Sequence, residues 1–376
     1  MSNNHNASPQ DEIINLQEKI FDICESSYDE TEEYILNSIF IENKDSLIQL
    51  CLTLKEAINT RPFLFDYYIN IFTAISSILT KFLTQKEILK IFVADYLILK
   101  FYNIGIITID TIIDISNTHQ SSAIFFAPEL LENDPNYFKT YKNHENSEEN
   151  ITESIGENIE EKRKLRDAGI NSSPLAVAIR NDDVETFQEL ISAKNIQLNS
   201  HIEYSTYEQC KIISQKPTIC EFTAFLGSTK IFKFLIMNQV SLNSRVARFA
   251  VAGGNYEIIH ILEAENCSFY GSLDMAISFH RNEIFEYILE SKNFEITYEI
   301  LKVAIENYNM EIFYKYILQF LESDPYRIFS DILPTAAFYG ILDIIKYICS
   351  LEQFEENTKL YIFNICFIQR FYFFRF

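Results

Sequence analysis

Residues 217–227 read Pro-Thr-Ile-Cys-Glu-Phe-Thr-Ala-Phe-Leu-Gly, and residues 336–340 read Ala-Ala-Phe-Tyr-Gly. In each stretch a small residue is followed four positions later by glycine. A small residue lets two helices approach closely, and glycine lets a helix end in a left-handed turn. Small residues of this kind recur through the second half of the chain, at Ala178, Thr223, Ala250, Ala276, Ala304 and Ala336.

The positions that follow each small residue recur as well. Four residues later comes a turn-forming or polar residue, at Asp182, Gly227, Gly254, His280, Tyr308 and Gly340. Eight residues later stand Thr186, Ile231, Ile258, Ile284, Ile312 and Ile344, and four after those Leu190, Leu235, Leu262, Ile288, Tyr316 and Ile348. The spacings are 223−178 = 45, 250−223 = 27, 276−250 = 26, 304−276 = 28 and 336−304 = 32, with an insertion around 201–215. One helical hairpin cannot bury its apolar face alone, so we predict about six stacked hairpins over residues 171–350.

The rest of the chain divides by composition. Helix-period patterns predict a separate N-terminal helical domain over 12–135, with a helix break at Arg61-Pro62. The β-branched stretch 104–115 could be a strand, but we assign it to helix because no sheet partner lies nearby. Polar and acidic residues predict a disordered segment at 1–11 and a linker at 136–170, with a helix near Glu157–Arg166. With only 8 Gly and 8 Pro in 376 residues, we predict an all-α protein.

An atypical apolar and aromatic tail, residues 351–376, ends the chain outside the repeat pattern. It is compatible with a swapped-in cap, a membrane-like tail, or the end of a truncated or mistranslated reading frame, and we favour the last.

Charge and composition limit the classes of function. The formal charge of −22, from 53 acidic and 31 basic residues, would repel nucleic acid and anionic membrane surfaces. The longest apolar stretch, Tyr67–Thr80, is shorter than the roughly 20 residues that a bilayer requires. Seven scattered cysteines without a CxxC pair do not suggest a disulfide framework, and the polar N-terminus lacks the apolar segment of a signal peptide. We therefore predict a cytoplasmic protein that binds neither nucleic acid nor membrane.

Candidate catalytic groups have simpler structural explanations. His260 and His280 could share a site, but no HxxxH or HExxH spacing occurs, and a helix-face residue with a loop residue is the favoured interpretation. Cys210 and Cys220 could form a reactive site with His201, although buried or loop thiols are expected more often. The remaining candidates are Asp110 with Asp114, interpreted as a solvated helix face, and Asn181-Asp182-Asp183, interpreted as turn and N-cap residues. We predict no cofactor, no metal and no enzymatic activity.

The sequence Ser-Pro-Leu-Ala-Val-Ala at 173–178 resembles the Thr-Pro-Leu-His-x-Ala opening of an ankyrin repeat, with Ala176 in place of the histidine. Together with 217–227 and 336–340, it makes residues 173–350 similar to the divergent ankyrin-type repeats of large protist families. Those proteins carry a domain of unknown function at the start of the array and a helical region before it. The period here is nearer 27 than the roughly 33 of a full repeat, so the resemblance implies shortened β-hairpin fingers. In the family motif, the histidine forms hydrogen bonds that connect the loops. Because Ala176 replaces it here, the same loop network is not expected.

What the resemblance implies is a protein–protein interaction module or scaffold, with a rigid concave surface that binds a partner protein of unknown identity. Our candidate contact residues, chosen as exposed positions near the turns of the middle repeats, are Tyr256, Arg281, Asn282 and Asn309. Two alternatives stay open. One is a membrane-associated scaffold that uses the apolar tail. The other is an enzyme of unrecognised helical type, which would need a pocket lined by convergent ionisable groups.

Overall fold

The computed structural model describes residues 8–140, 159–323 and 327–351. Within these ranges the regular structure is helical, without any β-strand, and His201 and Thr218 form an isolated antiparallel bridge. The prediction of an all-α protein is confirmed. The apolar tail from residue 352 onward lies outside the described residues.

Contacts divide the described chain into two compact units. The paired-helix unit contains the residues up to Gln17, Ala178–His201 and the residues from Thr218 onward. The N-terminal unit contains Glu18–Val177 and Ile202–Pro217.

The first part of the chain consists of short helices separated by capped turns. Helix α6 starts with a capping box, in which the Thr84 hydroxyl accepts from the Glu87 amide and the Glu87 carboxylate accepts from the Thr84 amide. The predicted break at Arg61-Pro62 is confirmed, because α3 ends at Thr60 and Pro62 begins a short 3₁₀ turn, Pro62–Leu64. A second 3₁₀ turn is Ile39–Ile41. The α-helices here are α1 (Pro9–Phe21), α2 (Tyr28–Leu36), α3 (Lys44–Thr60), α4 (Phe65–Ala74), α5 (Ser76–Phe82), α6 (Gln85–Ile91), α7 (Asp95–Asn103), α8 (Ile109–Thr118), α9 (Gln120–Phe125), α10 (Ala127–Asn133), α11 (Tyr137–Thr140) and α12 (Ile159–Ala168).

The core of the N-terminal unit is aromatic. Phe72, Phe92 and Phe101 are fully buried, and their rings meet edge to face with centroids 4.9–5.3 Å apart. Such pairs contribute beyond the area that they bury. The β-branched stretch at 104–115 enters helix α8 at Ile109, so the choice of helix over strand is confirmed there.

Three sequence expectations differ from the structure in detail. Helix α1 begins at Pro9, so residues 9–11 are helical where disorder was expected, and residues 1–7 lie outside the described residues. The helix expected near Glu157–Arg166 is observed as α12, two residues further on. A further short helix, α11, occupies Tyr137–Thr140 at the start of the expected linker.

Six helix pairs follow, each joined by two or three residues, in the part of the chain that the structure describes. They are α13 (Pro174–Arg180) with α14 (Val184–Lys194), then, after short α15 (Lys211–Ser214), α16 (Ile219–Leu226) with α17 (Thr229–Met237), α18 (Ser244–Gly253) with α19 (Tyr256–Ala264), α20 (Ser272–Ser278) with α21 (Asn282–Ser291), α22 (Tyr298–Glu306) with α23 (Met310–Ser323), and α24 (Leu333–Phe338) with α25 (Leu342–Ser350). A π-helical segment, Ile328–Ile332, precedes α24. First helices of successive pairs pack on each other, α16 on α18, α18 on α20, α20 on α22 and α22 on α24.

Every pair turns through a left-handed residue at the position that the sequence pattern marks. The φ angles are 49° at Asp182, 72° at Gly227, 85° at Gly254, 47° at His280, 53° at Tyr308 and 74° at Gly340. The next amide often donates to the carbonyl of the small residue, as from Ser228 to Thr223 (3.2 Å) and from Asn309 to Ala304 (2.7 Å). This is the hydrogen bond that closes a helix behind a left-handed residue, so the predicted turn is confirmed.

Burial follows the same pattern in five pairs. All six small residues are buried, and so are the two apolar positions after them from Ile231 and Leu235 onward. The first pair differs, because Thr186 is exposed and Leu190 is only partly buried. There Phe187, one residue along, is the fully buried side chain of α14.

The loops after the second helices contain no strand within the described residues, so the shortened β-hairpin fingers implied by the resemblance are not found. Four of these loops have a left-handed residue at their first or second position, with φ between 50° and 56°, at Asn195, Gln239, Asn266 and Asn293. The following amide donates back into the helix, as from Val240 to Leu235 (3.2 Å) and from Phe294 to Leu289 (3.0 Å). These backbone groups therefore close helices and are not available for strand pairing.

Helix α1 contributes one buried polar contact to the paired-helix unit. The Gln17 amide nitrogen donates to the Tyr308 carbonyl (2.6 Å), and its oxygen accepts from the Met310 amide (3.1 Å). Gln17 is only 4% exposed, so these two bonds satisfy both ends of a side-chain amide that water does not reach.

Among the described helices, none is by itself long and apolar enough to cross a bilayer. One pair, Pro62–Ala74 with Ser76–Phe82, meets the length and composition requirement when taken together, and it is bent by 62°.

Candidate protein-binding surface

The four predicted contact residues lie at the turns of consecutive pairs, where they bind neighbouring pairs of this chain. The Arg281 guanidinium donates to the carbonyls of Gly253 (2.7 Å) and Ala252 (3.2 Å), at the end of the preceding first helix. Asn309 donates to the Ile277 carbonyl (3.1 Å) and to the side chain of Asn282 (2.8 Å). These bonds join each turn to the pair before it.

The expectation that all four are exposed is wrong for Asn309, which is fully buried. Arg281 and Asn282 are half-buried, and Asn282 donates to Glu311 of the next pair (2.6 Å). Tyr256 remains 39% exposed, and its hydroxyl lies 3.5 Å from Glu283. A helix end leaves carbonyls without partners, and polar side chains at these positions satisfy them. Whether any of the four contacts a partner protein stays a prediction.

Charged groups on the second helices are largely satisfied by each other. The Glu263 carboxylate accepts from Lys292 (2.6 Å), Tyr287 (2.8 Å) and His260 (3.0 Å). Burial acts to raise the pKa of the Glu263 carboxyl, but these hydrogen bonds outweigh it and leave the pKa below its ordinary value.

Pairs on either side show the same pairing. Glu286 accepts from Tyr316 (2.8 Å) and pairs with Lys315 (2.6 Å), and Lys233 pairs with Glu257 (2.6 Å). At these positions the second-helix charges are therefore used in bonds between neighbouring pairs.

The surface around α18, a first helix, differs because it carries exposed side chains. Tyr270, in the loop before α20, is 80% exposed. Arg245 and Arg248 are exposed on α18. Tyr and Arg are enriched at the centres of protein interfaces. Sequence reasoning missed this group, although the run Arg-Val-Ala-Arg at 245–248 is conspicuous in a chain of net charge −22.

Cys210 and Cys220 lack the environment of a reactive thiol. Cys210 and Cys220 are both buried, whereas His201 is exposed. Burial raises the pKa of the Cys220 thiol to about 12, opposite to the shift that a nucleophilic cysteine needs. The interpretation of these cysteines as structural thiols fits that environment.

The other candidate groups are also dispersed. His260 is exposed on α19, while His280 is buried in the next turn with its Nε2 atom 2.9 Å from the Asn307 carbonyl. Asp110 and Asp114 are both exposed on α8. Across the described ranges, no group of three or more His, Cys, Asp or Glu residues is arranged to hold a metal ion.

Asp183 is the N-cap of α14, with its carboxylate accepting from the Thr186 amide (3.1 Å), which confirms the expected role. Its neighbour Asp182 accepts from the amides of Lys230 and Ile231, both at 3.0 Å. Those amides lie in the first turn of α17, so Asp182 links the first pair to the second.

A cavity of about 490 Å³ lies in the N-terminal unit. Asp95, Lys162, Arg163 and Arg166 are among the residues that line it, and burial raises the pKa of the Asp95 carboxyl. Arg166 is almost fully buried, and all five of its N–H groups are used by Glu129, Asp167 and the Phe125 carbonyl at 2.8–3.1 Å. A guanidinium with no free donor stabilises the wall of the cavity and has little capacity to bind substrate.

Comparison with known proteins gives one partial match. A family model described as "Domain of unknown function (DUF3447)" matches residues 237–316, from the end of α17 into α23. The match covers less than half of the chain and includes Arg248, Tyr270 and the three turns at Gly254, His280 and Tyr308. No curated protein and no solved structure matches the chain.

Proposed function

We propose that the six helix pairs form an ankyrin-like solenoid whose function is to bind another protein, without enzymatic activity. The observation that supports this most directly is the contrast between the two surfaces of the pairs. Glu263, Glu286 and the turn residues form bonds between neighbouring pairs, which favours a rigid stack. Arg245 and Arg248 of α18, and Tyr270 in the loop before α20, remain exposed.

Rigidity matters because a preorganised surface loses little conformational entropy when it binds. Asp182, Asn255, Arg281 and Asn309 each reach an adjacent pair through a hydrogen bond at 2.7–3.4 Å. Each of these bonds joins a turn to a backbone or side-chain group of an adjacent pair, and its loss would cost free energy, so the bonds favour a fixed register between pairs. A fixed register presents the exposed first-helix residues as one continuous surface.

A site-specific photo-crosslinking experiment on the full chain tests this function. A photoreactive phenylalanine analogue replaces Tyr270 in one variant and Phe63, which is 61% exposed in the N-terminal unit, in the matched control. We expect a discrete protein adduct from cell extract at position 270, absent at position 63, and competed by excess unlabelled chain. Adducts at position 63 alone, or no adduct at either position, would contradict a protein-binding role for the paired helices.

A further inference from the structure

Charges on the first-helix face follow a register from one pair to the next. In this register, a residue two positions before the small residue of one pair lies opposite a residue five positions before the small residue of the next pair. Glu221, two before Thr223, and Arg245, five before Ala250, are an example. By this register Glu221 pairs with Arg245 at 2.9 Å, and Lys302 approaches Asp331 at 3.9 Å. Two steps of the stack are therefore joined by opposite charges.

Two steps lie between these. The second places Asp274 opposite Glu299, two acidic residues, and the first places Gly271 opposite Arg248. An added Cβ at Gly271 would lie 3.7 Å from Cδ and 3.8 Å from Nε of Arg248, so the arginine side chain passes directly over the glycine. Glycine offers no carboxylate, and nothing in the described part of the chain forms a hydrogen bond or ion pair with the Arg248 guanidinium. At this step Arg248 therefore has a charged position in the register without an acidic residue opposite it.

Asp274 is the acidic residue that the structure couples to Arg248. Burial raises the pKa of the Asp274 carboxyl, the Arg248 charge opposes that change, and Glu299 adds to it. The two side chains make no ion pair, so Asp274 does not take the open position over Gly271. A solvated arginine alone would be unremarkable, but here an 80%-exposed tyrosine, Tyr270, adjoins the same glycine.

We propose that a partner protein places an Asp or Glu side chain over Gly271, where it forms an ion pair with Arg248 while Tyr270 packs against the partner backbone. The inference rests on the proposed function, that the helix pairs bind another protein, and it adds the contact residues and the chemistry of the partner segment. The partner segment is acidic, even though the chain as a whole has a net charge of −22.

Arginine is suited to this role because its planar guanidinium can bind a carboxylate through two parallel hydrogen bonds. Hydrogen bonds to a charged group contribute about 1.5–3 kcal/mol, which corresponds to a change in Kd of roughly tenfold to a hundredfold. Tyrosine adds contact area at a small cost in conformational entropy.

Two substitutions at Gly271 separate charge from shape. Gly271→Asp supplies a carboxylate within the chain, beside Arg248, and so competes with the acidic side chain of a partner. Gly271→Asn has nearly the same size and shape without the charge, and both residues tolerate the φ of +73° better than other side chains do. Asp274→Asn is the complementary change, since it removes a nearby negative charge.

The probe is a library of random twelve-residue peptides, selected on the full-length chain and measured by fluorescence anisotropy. We expect enriched peptides to contain Asp or Glu, and to lose about tenfold or more in affinity on Arg248→Ala and Gly271→Asp but much less on Gly271→Asn. Asp274→Asn is expected to strengthen binding. In the charge-swapped experiment, Arg248→Glu is expected to recover a peptide whose acidic residue has been changed to lysine. Thermal melting of each variant reports that the fold is retained.

Two results would overturn this inference without contradicting the proposed function: enriched peptides that lack acidic residues, or peptides whose affinity does not change when Arg248 or Tyr270 is substituted. If no peptide is enriched, capture at position 270 is repeated with Arg248→Glu. Loss of the adduct then supports the inference, and an unchanged adduct overturns it. Failure of both peptide selection and capture counts against the proposed function as well.

Discussion

Because α16 and α18 approach closely at Gly253, we predict that Gly253→Ala destabilises the protein, although helix propensity alone would predict stabilisation. Gly253 is the last residue of α18 and does not have a positive φ. Replacing glycine with alanine inside a helix ordinarily stabilises a protein by up to about 1 kcal/mol. In this structure, however, an added Cβ would lie 2.2 Å from the Phe225 carbonyl oxygen, 2.9 Å from its carbon and 3.0 Å from its Cα.

The magnitude follows from this geometry. Non-bonded atoms settle at roughly 3.5 Å, so the two backbones would have to separate by about 1 Å. Backbone atoms cannot rotate away as a flexible side chain can, and overpacking of this kind costs about 3 kcal/mol at the upper end of its usual range. Subtracting about 1 kcal/mol for the propensity of alanine leaves a net destabilisation of about 2 kcal/mol for Gly253→Ala. In a domain of this size the melting temperature should fall by about 4–8 °C.

Thermal and urea unfolding of the full chain provide the assay, with hydrogen exchange in α16 and α18 as the local measurement. The matched control is Gly271→Ala, in the same unit. There the added Cβ meets only Arg248 at an ordinary 3.7 Å, and the positive φ costs about 1 kcal/mol. Gly253→Ala should therefore be the more destabilising variant and should speed exchange in both helices. A Gly253→Ala protein as stable as the parent, or more stable, would refute the close approach.

Three other perturbations test the polar contacts. Asn309→Ala should destabilise the paired-helix unit by about 2 kcal/mol in urea unfolding, because it removes the bond to the Ile277 carbonyl and leaves the buried Ile312 amide without its side-chain acceptor. Equal stability would contradict a stabilising role for these bonds between pairs. Gln17→Ala should cost about 2 kcal/mol and increase hydrogen exchange at Met310, whereas an unchanged exchange rate there would show that the contact does not form in solution. Hydrogen bonds from Lys44 and the Thr84 amide lower the pKa of Glu87 to about 2 from 4.5, so its stabilisation is complete above pH 4.5 and is lost as the pH falls towards 2. Glu87→Gln should flatten that part of the acid-unfolding profile, and an identical profile would argue against the capping box.

The features that the sequence predicted correctly are those that depend on a few neighbouring residues. The left-handed turn at Gly227 or Gly254 follows from glycine after a helical run, and the buried small residues follow from their spacing. The same register located turns at Asp182, His280 and Tyr308, where no glycine marks them, because the helices on either side impose the conformation.

The candidate contact residues were chosen as if position near a turn implied exposure. Asn309 shows why that fails: a polar residue at a helix start is suited equally to solvent and to an unsatisfied carbonyl on a neighbouring helix. The direction in which Arg281 points, towards Gly253 and Ala252, depends on how closely the preceding pair packs. That separation is not encoded within any one repeat.

The sequence by itself determined the helical class, the breaks at proline and the register of the helix pairs, since these depend on backbone preferences and on spacing within about thirty residues. Only the tertiary structure decided which polar side chains are consumed within the stack and which remain exposed. It alone brought Gln17 to Tyr308, 291 residues away, and placed Gly271 opposite Arg248. Contacts between distant segments depend on the packing of whole helices, and a local pattern of residue types carries no information about their partners.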